Sequence, residues 1–342
     1  MSGGVALIGF GYWGPNLARN LQNHAGSRWR YLVELSPERA ARAQALYPQV
    51  KVVSDLDIVL DDPEVTAAIV ATPAATHTPL TRRLLDAGKH VMVEKPLALS
   101  TEDAASLATQ ADRGGRVLMV GHVFEYVPAV LEMKKIIDAG EIGDLLYLHS
   151  QRLNLGRIQS DVNAFTSIGP HDVSIANFLV GKGAEWVSAR GARYLNENVD
   201  DVVFVTVGYP GGVLAHMHVS WLDPSKTRKT TVVGSQQMMV FDDVDSETKL
   251  RVYDKGADRL DPDAYGAWQY KLRDGAMRVP SLPMAEPLGA ELKHFLECVD
   301  TGARPRTDGW NGVEVVAVLE AVEESLRKGG DQIGVTTHRP AS

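Results

Sequence analysis

The sequence predicts an α/β protein: a doubly wound parallel Rossmann sheet, then an α+β domain with a large, open, mainly antiparallel sheet. Three observations predict it. The chain opens on a strand, a glycine turn and a helix; short apolar runs alternate with helical ones to about residue 120; beyond that, strand-like runs follow one another with turn residues between them.

Val5 to Ile8 read as the first strand, Gly9-Phe10-Gly11-Tyr12-Trp13-Gly14 as a GxGxxG turn, and PNLARNLQNH as the helix it opens. Gly9 makes the turn tight, Gly11 lets the backbone approach a pyrophosphate and Gly14 allows close helix packing, while the helix amino terminus favours an anion. Tyr12 and Trp13 lie between them, against the expected ligand. Arg30 to Val33 form a second strand ending at Glu34, twenty residues beyond Gly14, which is the spacing of the acid that bonds a ribose 2′-hydroxyl. A carboxylate there accepts from the diol of NAD and repels the 2′-phosphate of NADP, so NAD is the expected cofactor. Arg39 and Arg42 in the next helix are the competing observation, since either can reach a phosphate.

The runs KVV, AAIVA, HVMV and RVLMV continue the alternation, separated by SPERAARAQALY, PLTRRLLDAG and TEDAASLATQAD. Thr72, Pro73 and His77 follow the fourth run at the carboxyl edge of the sheet, where ligands bind in such folds, and are expected cofactor contacts. In HVMVEKPLAL, Glu94, Lys95 and Pro96 stand where the fifth run ends, which places a cation at the cofactor site. This pattern defines a dinucleotide-binding domain over 1–121, leaving 122–342 for substrate binding and oligomerisation.

The second region begins with the helix pattern PAVLEMKKIIDAG, has another helix over 170–179, and closes with helices near 286–300 and 311–328. Between them EWVSARGARYL, DDVVFVTVGY, GVLAHMHVSW, KTTVVGS, QMMVFDD and KLRVYD read as strands, with hairpin turns at 210–212 and 234–235. The stretch 256–287 is rich in turn formers and reads as a long loop. Helices are too few to cover both faces of so large a sheet, so a homo-oligomer, dimer or tetramer, is expected through its open face. Val203, Val205 and Val207 are candidates for that surface, burial within one subunit being the alternative.

The 342 residues are 44% hydrophobic and 23% charged with net charge −8, enough for two domains with sizeable cores. Basic residues are scattered, which argues against a nucleic-acid or membrane partner and for a small molecule. Cys298 is the single cysteine and sits on the apolar face of a helix, a core position. With no export signal and no apolar run of about 18 residues, the protein is expected in the cytoplasm. Arg152, Asn154, Arg157, Ser160, Asp161 and Asn163 crowd one segment, and arginine binds a diphosphate or carboxylate in paired fashion; the alternative is a solvated polar loop. His122, Glu125 and Tyr126 are further candidates beside the ligand. His216 and His218 share a strand face without an acidic or thiol partner, so no metal site is expected.

With GFGYWG, ATPAATH, VEKPLAL and GPHDVSIANFLVG in view, the chain resembles the glucose-fructose oxidoreductase, inositol dehydrogenase and MocA family over nearly its whole length. GYWGPNLARN, NLGRIQSDVNAF, KTTVVGSQQMMVFDD and EPLGAELKHFLECVDTGARPRTDG look like the members that oxidise nucleotide sugars, such as UDP-N-acetylglucosaminuronate 3-dehydrogenase. The resemblance implies an NAD-dependent oxidoreductase with Lys95 beside the nicotinamide, His171 handling a proton, and a cis bond before Pro96. An imidazole titrating near neutrality suits removal of a hydroxyl proton as hydride leaves, while Lys95 stabilises charge on the oxygen or is itself the base. The chain departs from the family at Ser167, four residues before His171, where much of the family has aspartate; a serine orients an imidazole but does not stabilise imidazolium. Asp172 lies about 100° further round the helix and substitutes poorly. The expected reaction is hydride transfer at C3 of a nucleotide-activated sugar. A ketosugar or cyclitol reductase is the alternative, and a non-catalytic dinucleotide-binding regulator the alternative of another class.

Overall fold

A computed structural model describes residues 3–156, 158–159, 162–195, 197–259 and 270–339. The chain forms two compact units, one of residues up to Tyr126 with Ala285–Ala317 and the tail from Thr336, the other of Val127–Met284 with Val318–Val335.

In the first unit six short strands, β1 (Gly4–Ile8), β2 (Trp29–Val33), β3 (Lys51–Val53), β4 (Val65–Val70), β5 (His90–Glu94) and β6 (Leu118–Gly121), pair in the order β3-β2-β1-β4-β5-β6. Every pairing is parallel. This doubly wound order reverses direction between β1 and β4, where ligands bind in such sheets. The connecting helices are α1 (Gly14–His24), α2 (Pro37–Leu46), α3 (Asp57–Asp61), α4 (His77–Asp86) and α5 (Thr101–Gly114). Ser36 and Ser100 start α2 and α5 by accepting from the backbone N–H groups of Arg39 and Asp103, as N-cap hydroxyls do.

The central strands are mostly apolar because both faces are covered. Ala6, Ile8, Val33, Ala68 and Val70 pack in one core, Val5, Leu7, Leu32, Ala67 and Ile69 in the other.

In the second unit α6 (Pro128–Asp138), β7 (Leu145–Leu153), α7 (Ala164–Ile168) and α8 (Pro170–Val180) precede β8 (Trp186–Ala192), β9 (Val202–Gly208), β10 (Leu214–Ser220) and β11 (Thr227–Gly234). Then come β12 (Met238–Asp242), β13 (Leu250–Arg259) and β14 (Tyr270–Arg278). The C-terminal elements are α9 (Pro287–Thr301), α10 (Gly309–Arg327) and β15 (Ile333–Gly334). Helix α9 lies on α1 and joins the second core of the first unit through Leu288, Leu292, Phe295, Leu296 and Cys298.

The second sheet has nine strands in the order β14-β13-β12-β11-β7-β10-β9-β8-β15. All neighbours are antiparallel except β7 and β10. Two expectations are corrected here. Part of the expected loop over 256–287 is strand, the end of β13 and all of β14. Strand β14 is exposed nearly throughout and so lacks the apolar alternation by which a half-buried strand is read. Val203, Val205 and Val207 are fully buried within the subunit. The opposite face carries Phe204, Thr206, His216 and His218, with the His218 ring stacked on Phe204 at 4.3 Å. Among the described residues no helix is long and apolar enough to cross a membrane, and no group of three His, Cys, Asp or Glu is placed to hold a metal ion.

Candidate active site

The glycine turn shows why each glycine is there. Gly9 has φ +98°, and a Cβ on it would stand 2.7 Å from the Ala71 carbonyl oxygen; a Cβ on Gly14 would stand 2.7 Å from the Gly9 carbonyl oxygen. Both positions are closed by the fold itself. Around Gly11, by contrast, a Cβ would meet no atom within 4 Å, and Gly11 opens onto a cavity of about 720 Å³ walled also by Glu34, Leu35, Leu56, Thr72 and Leu80. The empty space at the position where a pyrophosphate must approach, with apolar side chains further along for an adenine, fits NAD.

Glu34 follows β2 and is buried. Its Oε2 accepts from Phe10 N at 2.8 Å and its Oε1 from Ser36 N and Arg39 Nη2, each at 2.7 Å. Burial alone pushes this carboxyl up, but the Arg39 guanidinium and the two backbone N–H groups outweigh it and hold the group below its usual range. A charged acceptor therefore stands at the fingerprint position. Arg39, which the sequence offered as a phosphate ligand, is paired with it. Glu34→Ala is expected to weaken NAD about 10- to 100-fold, the loss of charged hydrogen bonds, and NADP much less, since Arg39 is released. Dissociation constants for both cofactors check this; equal losses would mean that Glu34 serves only to hold the turn.

Tyr12 is 90% exposed. Trp13 instead uses its side chain to bond the Glu94 carboxyl. Thr72 and Pro73 line the cavity, and Thr76 Oγ1 donates to the Pro73 carbonyl at 2.7 Å. His77 does not reach the cavity: its ring is buried, with Nδ1 2.7 Å from the Pro96 carbonyl oxygen and Nε2 2.9 Å from that of Thr72. It is a link between two loops.

Lys95 follows β5, and the Lys95-Pro96 bond is cis. Its charge acts on several neighbours. Burial, with Lys95 second, pushes His122 down to about 3, so the ring is neutral, and neither ring nitrogen has a partner among the described residues. Burial pushes Glu94 up to about 7 against the lowering effect of Lys95 and Trp13. Glu291 on α9 is fully buried with neither oxygen partnered among the described residues; burial first, then Glu94 and Glu125, push it well above the usual range, which favours the protonated acid. Lys95 itself is half-buried, so its charge is screened less than that of a fully exposed lysine. Tyr126 is corrected: its ring lies in the core of the unit under Arg306 and its hydroxyl meets Thr307 at 3.4 Å. Glu125 is equally buried, its Oε1 accepting from Asn311 Nδ2 at 3.1 Å.

In the second unit His171 is the second residue of α8, and Ser167 lies in α7 with its Oγ accepting from Gln159 Nε2 at 2.8 Å. Asp172 carries its carboxylate to Arg152 on β7, Nε to Oδ2 at 2.6 Å and Nη2 to Oδ1 at 3.4 Å, with both side chains buried. Arg152 is thus a buried partner of α8. Asn163 is also reassigned. Its Oδ1 caps α7 by accepting from Thr166 N at 2.9 Å, and its Nδ2 donates to Glu323. Asn154 is half-buried at the end of β7 and lies against Gly156. Arg157, Ser160 and Asp161 lie outside the described residues.

A parallel doubly wound sheet, a glycine turn open at its middle glycine and a charged acid after β2 define a dinucleotide-binding oxidoreductase unit. Residues 4–122 match the oxidoreductase family with an NAD-binding Rossmann fold, and residues 130–240 match the C-terminal domain of the same Gfo/Idh/MocA family. The chain belongs to this family. It is 33% identical over 226 residues to inositol 2-dehydrogenase 2 of Saccharopolyspora erythraea, covering 64% of this chain and 67% of that one. It is 27% identical to the NAD-dependent scyllo-inositol 2-dehydrogenase of Bacillus subtilis, covering 79% and 78%. Matches to two other relatives, an oxidoreductase of Streptococcus pneumoniae and the 2,7-anhydro-N-acetylneuraminate hydratase of Mediterraneibacter gnavus, span only 58% of their lengths. Among solved structures, UDP-N-acetylglucosamine 3-dehydrogenase of Acidithiobacillus ferrooxidans superposes with a TM-score of 0.81 at 23% identity, over 96% of this chain and 99% of that one.

Proposed function

We propose that the protein passes hydride between NAD and a ring carbon bearing a secondary hydroxyl, with a sugar or cyclitol as substrate and C3 of a nucleotide-activated sugar as the first candidate. The observation that carries this reading is Lys95 at the carboxyl edge of a sheet whose glycine turn and Glu34 suit NAD. Bound NAD supplies the hydride acceptor. Gly9, Gly11 and Gly14 with Tyr12 and Trp13 form the turn that receives it, Glu34 its ribose anchor, and Thr72, Pro73, Glu94 and Pro96 the walls of its site. Lys95 Nζ donates a hydrogen bond to the reacting oxygen and stabilises charge there, and the His171 imidazole takes or returns the hydroxyl proton. Asn154, Arg157, Asp161 and Ser167 are the remaining candidates for holding the substrate.

A cyclitol is the second reading, favoured by two observations. The relatives compared above include two inositol dehydrogenases, and Arg152, one of the two arginines offered for a diphosphate, is already paired with Asp172. We assign the exposed sheet face with Phe204, Leu214 and His216 to contact with a second copy of the chain. The test is a mass spectrum of ligand carried by the purified protein, followed by reduced-nicotinamide absorbance against UDP-sugars, free sugars and inositols. Turnover of a UDP-sugar alone supports the first reading, turnover of inositols alone the second; no turnover in either direction, with ketosugars and NADH included, would leave a silent binder.

Ser167→Asp is expected to raise the oxidation rate near neutral pH, because a carboxylate in that position favours imidazolium at His171. The kcat against pH profile checks it, and a marked fall would assign the serine a role of its own.

A further inference from the structure

His77 opens α4, yet its ring is turned inward, 1% exposed. It spans two loops that leave neighbouring parallel strands at the same sheet edge. One, after β4, carries Thr72 and Pro73 and lines the dinucleotide cavity; the other, after β5, carries Lys95 and Pro96. Both ring partners are carbonyl oxygens, Pro96 O at 2.7 Å from Nδ1 and Thr72 O at 2.9 Å from Nε2. Carbonyls only accept, and a neutral imidazole has one N–H, so the ring holds both only with a proton on each nitrogen. Burial, the largest influence, and the Lys95 charge oppose that state, the two carbonyls favour it, and the balance holds the ring below its usual range. The grip is therefore two-sided while both protons are present and one-sided when one is lost.

We propose that His77 is a positioning residue that ties the cofactor turn at Thr72 to the carbonyl of Pro96 and so sets where Lys95 stands relative to the cofactor site. The assignment depends on the role given to Lys95 above. Hydride and proton transfer tolerate little misplacement, and a shift of about 1 Å in a reacting group is enough to lower the rate about 100-fold. A side-chain amide has two N–H groups on one nitrogen and can serve two carbonyls without charge; a leucine of similar bulk serves neither.

The experiment uses the full-length protein, with kcat, substrate KM and NAD dissociation constant measured for His77→Leu and His77→Gln, alone and on a Lys95→Met background. Folding is checked by circular dichroism, with activity expressed per folded, NAD-binding molecule. The expected result is a fall in kcat of about 10- to 100-fold for the leucine variant, with KM and NAD affinity changed much less, and recovery of most of the loss by glutamine. On the Lys95→Met background the leucine substitution should change kcat no further, because the residue acts through Lys95. A leucine variant that keeps kcat within about twofold, loses only NAD affinity, or adds its full effect to that of Lys95→Met overturns the proposal. If Lys95→Met itself leaves turnover intact, the reading of Lys95 fails instead, and the two failures are told apart by that arm.

Discussion

Replacing Lys95 by methionine is expected to lower turnover by about 10³-fold while NAD still binds. The estimate combines the usual worth of one charged donor at a developing oxyanion with that of a proton-transfer group. Methionine keeps an unbranched side chain, one atom shorter, and removes the ammonium group with its charge and its hydrogens. The surroundings magnify the effect. Glu94, His122 and His77 all respond to the Lys95 charge, and Glu291 beyond them is held towards its protonated form. Removing the cation should also let Glu94 hold its proton to higher pH, since Lys95 is what lowers it against burial. Stopped-flow measurement of hydride transfer, with NAD binding followed in parallel by fluorescence, checks the prediction. Near-normal transfer in a folded, NAD-binding variant would remove Lys95 from the chemistry and leave His171 as its only assigned proton carrier.

What the sequence made legible of this region follows from the backbone. A positive φ at Gly9, the contact of Gly14 with the Gly9 carbonyl and an acid placed just after β2 each demand one residue type at one spacing, so GFGYWG and Glu34 are readable without coordinates. The parallel sheet was readable for the same reason, because strands covered on both faces are continuously apolar. Partnerships across long separations were not. Nothing local marks Arg152 as the partner of Asp172, or brings Glu291 on α9 within reach of the charges of Glu94 and Glu125. His77 was found as part of a motif without its carbonyl partners, which belong to loops that only the sheet brings together. Asn163 is a different case. A cap pattern, asparagine ahead of Ala-Phe-Thr, was there to be read, but the short helix α7 behind it has too few residues to show a period.

The pair formed by Arg152 and Asp172 gives the largest expected effect on stability. Asp172→Ala is expected to destabilise the folded protein by about 3–5 kcal/mol, because it leaves a buried guanidinium facing a cavity in place of a carboxylate. The two side chains are 7% and 2% exposed, so solvent screening does little to soften the loss. The pair itself need not be worth that much: bringing both charges out of water offsets most of their attraction, and replacing both by apolar groups of similar size is often close to neutral. The double variant Arg152→Met/Asp172→Leu should therefore recover most of the stability lost by either single change, as read from denaturant midpoints at constant slope. Kinetics on the same proteins separate packing from recognition. If Arg152 only braces α8, the double variant keeps its substrate KM, and any change falls on kcat through the placement of the neighbouring His171. A double variant that is stable but binds substrate at least about tenfold more weakly, a loss of some 1.4 kcal/mol, would return Arg152 to the substrate site and restore the nucleotide diphosphate as the group it recognises.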